Sequence, residues 1–253
     1  MIDLTGKVAL VTGSSRGIGR ATALKLAQAG ADIIVNYATS QAAAMELAQE
    51  ILAMGRQVYV IKADMGEEDD IDCMMDFIKE NIGQLDILVS NAATGGFRPL
   101  LKSKRAHFHT AMDINVLSLI FLARAAYPLL SKAQGRGKIV TISSHGSHMA
   151  LPMYGLIGGS KAALESVARH LTLEVGEHVN VNVVKAGLVE TDSTRKIPFS
   201  DRMFAERDTK SMMGPRVLMA DDVANTILFL CSPLSDLVQG ETLTVDGGSA
   251  IHV

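Results

Sequence analysis

The sequence predicts an α/β fold, with one domain built on a Rossmann-type, doubly wound parallel sheet of about seven strands and helices on both faces. Short β-branched runs alternate with longer amphipathic stretches along the 253 residues. The short runs are apolar almost throughout, which is typical of parallel strands that are buried on both faces. No internal repeat, low-complexity tract or Pro/Gly-rich linker divides the chain, so we expect residues 1–253 to form a single domain.

The alternation places each strand and helix in order. The strands are expected at Lys7–Thr12, Asp32–Tyr37, Gln57–Lys62, Ile87–Ser90, Lys138–Ser143, Val179–Val184 and Thr242–Val245. The helices are expected at Gly17–Ala29, Gln41–Met54, Glu67–Asn81, Arg105–Leu130, Ile157–Val175 and Ala220–Cys231. Right-handed connections between such strands place ligands beyond the carboxyl ends of the sheet.

One segment, Glu190–Val217, departs from the alternation. It is charged, rich in methionine and without a clear strand. Long insertions between the elements of a compact domain are commonly functional, and we expect residues 190–217 to cover the substrate. An exposed loop without such a role is the alternative.

The composition argues against several classes of partner. The formal net charge of -3 leaves no basic excess to neutralise nucleic-acid phosphates. Cys73 and Cys231 both fall in expected helices, which suits reduced packing residues in the cytoplasm better than a disulfide or a metal site. No uninterrupted apolar run approaches the roughly 20 residues of a membrane span, and Met1–Gly6 lacks the features of a signal peptide. We therefore expect a cytoplasmic protein without metal, nucleic-acid or membrane partners.

Residues 12–19, Thr-Gly-Ser-Ser-Arg-Gly-Ile-Gly, lie between the first strand and the first helix. Gly13 permits a sharp turn, Gly17 lets the backbone approach a pyrophosphate, and Gly19 lets the helix pack closely on the strand. The free amides and the positive dipole end of the helix would then bind the phosphates. This context predicts a dinucleotide site formed by Gly13, Ser14, Ser15, Arg16, Gly17, Ile18 and Gly19.

The end of the second strand indicates which dinucleotide is bound. A site selective for NAD usually places a carboxylate there, against the ribose 2′-hydroxyl, but this strand ends at Asn36-Tyr37. Arg16 and the hydroxyls of Thr39 and Ser40 are groups that suit a 2′-phosphate. We expect Asn36 and Tyr37, together with Arg16, Thr39 and Ser40, to lie at the cofactor. These residues favour NADP(H), with a purely surface role for Arg16 as the alternative.

Motifs spread over almost the whole chain resemble those of the short-chain dehydrogenases/reductases. They are the glycine turn, Ala63-Asp64, Asn91-Ala92-Ala93, Asn115, Ser143-Ser144, Ser160-Lys161-Ala162-Ala163-Leu164-Glu165 and Val245-Asp246-Gly247-Gly248. The resemblance implies an oxidoreductase with further cofactor contacts at Asp64 and Met65 (adenine), Asn91 (ribose), Gly187, Val189 and Thr191 (nicotinamide), and Ala92, Asn115 and Lys161. One departure is Ala186-Gly187, where the family usually has Pro-Gly.

The position of the active-site tyrosine also departs from the family pattern. Most members place it four residues before the helix lysine, which here is Lys161, but that position is Ile157. The nearest phenol is Tyr154. Seven residues are about two helical turns, so Tyr154 and Lys161 share a face if the helix reaches back that far, and the phenol moves by roughly 4.5 Å along the axis. The ammonium of Lys161 would lower the pKa of the tyrosine and hold the ribose hydroxyls.

This displacement suits reduction of a C=C bond. In ketone reduction the oxygen that needs a proton is bonded to the carbon that receives hydride. In an enoyl thioester, hydride goes to the β-carbon and charge develops on a carbonyl oxygen two carbons away, where Tyr154 would stabilise the enolate.

The run from Ser144 to Tyr154 and the Tyr154–Lys161 spacing resemble the NADPH-dependent enoyl-acyl-carrier-protein reductases of the FabL type. The resemblance implies reduction of a trans-2-enoyl thioester on an acyl-carrier protein or on CoA, in fatty-acid biosynthesis or a specialised pathway. It also implies a homotetramer built through the helices at Arg105–Leu130 and Ile157–Val175.

Several alternatives stay open at the level of sequence. The chain could be a carbonyl reductase of the 3-oxoacyl type, or a non-catalytic NADPH sensor that lost turnover with the tyrosine at position 157. Tyr154 could be a packing aromatic, and Ser144 is either a proton-donating hydroxyl or a cap at the end of a strand. His145 and His148 flank the site, although loop histidines are more often solvated than bound to substrate.

Overall fold

The computed structural model describes residues 2–195, 197, 199–214 and 216–251, without the side chains of residues 192 and 193. Residues 196, 198 and 215 of the expected covering segment, and residues 1, 252 and 253 of the expected domain, lie outside the described residues. The described strands form one parallel sheet in the order β3-β2-β1-β4-β5-β6-β7. The seven-stranded, doubly wound fold expected from the sequence is confirmed.

The strands agree with the predicted segments to within two residues at each end. They are β1 Val8–Val11, β2 Asp32–Tyr37, β3 Val58–Lys62, β4 Ile87–Ser90, β5 Gly137–Ser144, β6 Val179–Ala186 and β7 Thr242–Val245. The helices are α1 Gly17–Gln28, α2 Gln41–Ala53, α3 Glu68–Phe77, α4 Arg105–Met112, α5 Ser118–Leu130, α6 Gly155–Val175, α7 Asp192–Arg195, α8 Ser200–Lys210 and α9 Ala220–Leu230.

The sheet separates two hydrophobic cores because successive side chains of a strand point to opposite faces. Val11 belongs to the core that includes Leu26 of α1 and Ile227 of α9. Its neighbour Leu10 belongs to the other core, with Leu122 of α5 and Leu164 of α6. Burial on both faces explains why the strand sequences are almost continuously apolar.

The expected helix at Arg105–Leu130 is continuous but not regular. A π-helical turn at Asp113–Leu117 joins α4 to α5 and contains the buried Asn115. Among the described residues, this 26-residue helix is long and apolar enough to cross a membrane by length and composition. Core helices pass the same test, and Leu119 and Leu122 of this helix are fully buried in the core beneath the sheet.

The strand order reverses direction at β1, with β2 on one side and β4 on the other. Ligands of doubly wound folds bind outside the carboxyl ends of the strands at such a point. The segments that leave this edge are the glycine turn after β1, Asn91 after β4, Ser144 at the end of β5 and Gly187 after β6. The fold therefore gathers the motifs that the sequence separates.

Candidate active site

Two hydroxyl groups lie together where β5 ends and α6 begins. The Oγ of Ser144 and the Oη of Tyr154 are 2.9 Å apart, so one donates a hydrogen bond to the other. The residue spacing places Tyr154 and Lys161 on one helix face only if the helix includes Tyr154, but it does not. It begins at Gly155, and the carbonyl of Tyr154 accepts the first helical hydrogen bond from Gly158 at 2.7 Å. Tyr154 is thus aimed by the turn before the helix, which contains Met153 in the left-handed region at φ 60°.

The ring of Tyr154 is enclosed by neighbouring loops. Its centroid is 5.7 Å from that of Phe97, which follows β4. A Cβ on Gly146 would lie 2.3 Å from carbons of the same ring, so only glycine fits there. The amide of Arg98 donates to the carbonyl of Met153 at 2.8 Å and ties the two loops together. Phe97 and Gly146 had no role in the sequence analysis, since neither forms part of a spaced motif.

Position 157, where the family usually has its tyrosine, is occupied by a packing residue. Ile157 is buried, and its side chain covers Gly95 so closely that a Cβ on Gly95 would lie 2.2 Å from Ile157 Cγ1. The only phenol at this end of α6 in the described structure is therefore that of Tyr154.

Burial shifts the pKa values of both Tyr154 and Lys161. Burial raises the pKa of Tyr154, and the hydrogen bond with Ser144 opposes this only in part. Lys161 donates to the carbonyl of Ile142 at 2.7 Å, and burial lowers its pKa to about 8 while the charge of Glu165 acts in the opposite direction. The expected lowering of the pKa of the tyrosine by the lysine is therefore wrong for this structure. Tyr154 is a neutral phenol at pH 7, which is able to donate a hydrogen bond.

The glycine turn has the features that a pyrophosphate site requires. Arg16 precedes α1 without capping it through its side chain, and the first turn of α1 has no acidic residue, so its amides are open to an anion. Gly17 has φ 57°, and a Cβ there would lie 3.3 Å from Thr191 beyond β6. A Cβ on Gly19 would lie 2.5 Å from the side-chain amide of Asn91. The residues present fit a dinucleotide.

Several predicted cofactor residues instead hold this turn in shape. Asn36 is buried; it accepts from the amide of Gly13 at 3.0 Å and donates to the carbonyl of Ala63 at 3.0 Å. Asn91 donates to the carbonyls of Thr12 and Gly13 at 2.9 and 3.2 Å. The hydroxyl of Ser14 and the backbone of Asn36 are hydrogen-bonded at 3.2 Å. The side chains of Asn36 and Asn91 and the hydroxyl of Ser14 therefore bond within the protein and position the backbone of the turn.

The remaining predicted cofactor residues fall into two groups. Arg16, Thr39 and Asp64 are exposed at the edge of the sheet. The others are wholly or partly buried, namely Ser15, Ile18, Tyr37, Ser40, Met65, Ala92, Asn115, Gly187, Val189 and Thr191. Asn115 bonds to both backbone groups of Thr94 and donates to Ser160 at 2.8 Å, which links the π-helical turn to α6.

Known proteins share sequence with this chain over nearly its whole length. A family model described as "Enoyl-(Acyl carrier protein) reductase" covers residues 13–250. Versicolorin reductase 1 of Dothistroma septosporum is 36% identical over 97% of both chains. The chain belongs to the short-chain dehydrogenase/reductase family. It is thus an oxidoreductase, and a reductase role is supported by these relatives.

Three further similarities bear on the chemistry of this short-chain dehydrogenase/reductase. The 1-cyclohexenylcarbonyl-CoA reductase of Streptomyces collinus is 33% identical over 97% of this chain and 87% of its own. A short-chain dehydrogenase of Burkholderia cenocepacia J2315, solved in complex with NADP, has a TM-score of 0.88 and 33% identity over 97% of this chain and 98% of its own. A 7α-hydroxysteroid dehydrogenase solved with NADH and 7-oxo glycochenodeoxycholic acid has a TM-score of 0.90 and 32% identity, over 97% and 95% of the two chains.

The histidines that flank the site have different surroundings. Nε2 of His145 is 3.1 Å from a carboxylate oxygen of Asp246, without the alignment of a hydrogen bond. Burial lowers the pKa of His145, so it is neutral at pH 7. His148 is exposed, and its Nδ1 is 3.2 Å from the ammonium of Lys185. Among the described residues, no group of three or more His, Cys, Asp or Glu side chains could hold a metal ion.

The expected covering segment contains α7 and α8. Its described part docks on the loops after β6 and β7, where Arg207 donates to the carbonyl of Leu188 at 2.9 Å and Met212 donates to that of Gly247 at 2.9 Å. A cavity of about 320 Å³ lies under the segment, lined in part by Arg207, Met213 and Gly247. Neither Ser144 nor Tyr154 lines this cavity. Covering of a substrate by residues 190–217 stays a prediction.

Proposed function

We propose that the chain reduces the C=C bond of a trans-2-enoyl thioester, on an acyl-carrier protein or on CoA, with NADPH as the cofactor. The observation that carries this proposal is the position of the Tyr154 phenol, hydrogen-bonded to Ser144 before α6, while position 157 is filled by a packed isoleucine. The description of the matching family model and the name of the Streptomyces relative support it.

The proposed reaction needs a donor placed at the substrate oxygen that becomes negative. Tyr154 would donate a hydrogen bond to the thioester carbonyl as enolate charge develops there, and Ser144 would keep the phenol oriented. The half-buried position of Tyr154 would strengthen that bond because little water competes for the oxygen. The carbon next to the carbonyl then takes a proton, from the phenol or from solvent, which completes the reduction.

The residues that would hold the cofactor are those of the glycine turn and its surroundings. The open amides of α1 would bind the pyrophosphate, exposed Arg16 and Thr39 the 2′-phosphate, and Lys161 the ribose. Bound NADPH would supply the hydride. Arg16→Ala should weaken NADPH binding by about tenfold and leave NADH binding unchanged, because one charge-assisted contact is lost. Arg20→Ala, which removes a cation of α1 that pairs with Glu50 of α2, is the control.

A second candidate is reduction of a carbonyl group, as in a 3-oxoacyl reductase. The hydrogen bond between Ser144 and Tyr154 favours it, because a serine and a tyrosine that share a proton suit a single alkoxide oxygen. The sequence similarity to a versicolorin reductase is consistent with this second candidate.

Purified protein with NADPH and either crotonyl or acetoacetyl thioester separates the candidates. Loss of reduced-nicotinamide absorbance only with the crotonyl thioester supports the proposal, and loss only with the acetoacetyl thioester supports the second candidate. Turnover of neither, despite NADPH binding, would indicate a non-catalytic sensor.

The role of Tyr154 is tested by removing one oxygen. Tyr154→Phe should lower kcat by roughly 10²–10³ with little change in NADPH affinity, as for loss of one oxyanion donor. Tyr59→Phe removes the same atom from β3, where the phenol bonds only to Gln57 on the surface, and should be fully active. Full activity of Tyr154→Phe contradicts the mechanism.

We also propose a homotetramer built through the helices at 105–130 and through α6. Exposed apolar side chains support it: Phe108 and Leu117 are 52% and 38% exposed, and Leu173 on α6 is 85% exposed. Apolar patches of this kind mark interaction surfaces. Light scattering should give four times the mass of 27.0 kDa, and Leu173→Lys should reduce it; a wild-type monomer at micromolar concentration refutes the proposal.

A further inference from the structure

Strand β6 contains a lysine, although the sheet is covered by helices on both faces and its strands are mostly apolar. Every residue of Val179–Ala186 is buried, and Lys185 is only 8% exposed. A lysine is almost never buried unless it is paired. Lys185 lies at the carboxyl end of the strand, in register with Ser143 of β5, next to the residue that holds Tyr154.

The partner of Lys185 is Glu165 on α6. The ammonium and the carboxylate are 3.2 Å apart, and the hydroxyl of Ser143 also donates to the carboxylate. Burial raises the pKa of Glu165, but hydrogen bonds from Ser143, Ser147 and Lys185 outweigh it and bring the pKa below its usual value. Glu165 is therefore ionised at pH 7 and holds the ends of β5 and β6 to the helix.

The same carboxylate acts on the catalytic helix itself. Glu165 follows Lys161 by one helical turn, so the two side chains are neighbours on α6. The other titratable side chains gathered at this edge are Lys185 from β6, Tyr154, His145 and His148 from the loop after β5, and Asp246 after β7. Of these groups, Glu165 is the one whose charge favours the protonated form of Lys161.

We propose that Glu165 and Lys185 are positioning residues, a largely buried ion pair whose carboxylate bonds to the structural Lys185 and also acts through its charge on the catalytic Lys161. The carboxylate keeps Lys161 charged in a site whose burial opposes charge, and Lys185 limits how strongly it does so. The pair also anchors Ser144 through Ser143. The kinetic part of this inference rests on the proposed reductase function, because it needs a reaction to follow.

The test is a double-mutant cycle read as a pH profile. Protonated Lys161 is required for ribose binding, so activity should fall at alkaline pH as Lys161 loses its proton. Glu165→Gln keeps a hydrogen-bond acceptor for Ser143 but removes the charge, and it should move the alkaline limb of kcat/KM down by about one pH unit. Lys185→Met leaves the carboxylate to Lys161 alone and should move the limb up by a similar amount. Because Lys185 acts on Lys161 through Glu165, the double variant should keep the limb of Glu165→Gln to within about 0.3 pH units.

Opposite shifts distinguish this role from a merely structural one, because loss of packing would lower stability in both variants without moving the limb. The matched control is Lys138→Met. Lys138 is 3% exposed in β5 and paired with Asp236 at 2.6 Å, at the opposite end of the sheet. The variant Lys138→Met should be less stable than the wild type, but the alkaline limb of its kcat/KM profile should be unchanged.

A second readout does not depend on turnover. NADPH affinity, followed by fluorescence across the same pH range, should show the same order of limbs, with Glu165→Gln lowest and Lys185→Met highest. Shifts of equal sign, or none, in both readouts overturn the proposal. If the wild-type protein reduces no thioester but the affinity limbs still separate, the proposed reaction fails while the pair stands.

Discussion

Replacing Lys161 by methionine should stabilise the protein while abolishing its reaction. The structure gives the magnitude. Burial lowers the pKa of Lys161 from 10.5 to about 8, and one pH unit corresponds to about 1.4 kcal/mol, so the buried ammonium costs about 3 kcal/mol at neutral pH. Methionine is of similar size but loses the hydrogen bond to the carbonyl of Ile142, which is worth about 1 kcal/mol. A net gain of about 2 kcal/mol is expected, or roughly 5 °C in Tm for a domain of this size.

The stability difference between Lys161→Met and the wild type should also depend on pH, which tests its sign independently. Between pH 8 and 10.5 the unfolded lysine binds a proton that the folded one has lost, so the wild-type contribution to stability rises with pH. The advantage of Lys161→Met should therefore be complete below about pH 8 and fade towards pH 10.5. Denaturant titration at several pH values measures it, with Lys138→Met as a control that should destabilise because it removes the bonds of a buried ammonium to Asn180 and Asp236.

Lower stability of Lys161→Met at pH 7, or an advantage that is independent of pH, refutes the reasoning. The first result would mean that the shared carboxylate of Glu165 more than offsets the cost of burial. The second would mean that the gain comes from packing and not from removal of the charge.

Two further predictions follow from the surroundings of single residues. Gly146→Ala should lower kcat by about 10²-fold with unchanged NADPH affinity, because its Cβ would meet the ring of Tyr154 at 2.3 Å and displace the phenol. The control is Gly159→Ala in α6, where the added Cβ meets open space. This variant should keep full activity and gain up to about 1 kcal/mol in stability. A maleimide should label only Cys73 in the folded protein and both thiols after denaturation, because Cys231 is buried and its pKa is raised to about 12 by burial; mass spectrometry that finds two labels on the native protein contradicts this.

At the end of β2, residue type alone predicts part of the cofactor site but not the hydrogen bonds within it. The sequence indicated that no carboxylate follows β2, and the structure agrees that Asn36 and Tyr37 are at this place. It could not indicate that both are buried, with Asn36 bonded to Gly13 and Ala63, and so turned away from any ligand. A polar side chain at the edge of a sheet has many possible partners, and the ones it takes come from distant parts of the chain.

At the active site, residue spacing predicts the phenol correctly but not the start of the helix. The spacing of Tyr154 from Lys161 identified the phenol, but the face argument assumed a helix that begins before Gly155. The turn at Met153 and the space left by Gly146 aim the ring instead. Helix ends depend on caps and local strain, which periodicity does not record. Lys185 was a missed signal, since a lysine within the apolar run of β6 already indicates a buried partner.

The sequence by itself determined the seven-stranded sheet, the glycine turn and the family, because strand periodicity and the φ freedom of glycine are properties of short segments. Only the tertiary structure decided which hydroxyl meets Tyr154, that Lys185 pairs with Glu165, and that the phenol stays neutral. Those outcomes depend on burial and on contacts between residues far apart in the chain. Burial sets the cost of a charge, and the contacts determine whether that cost is offset.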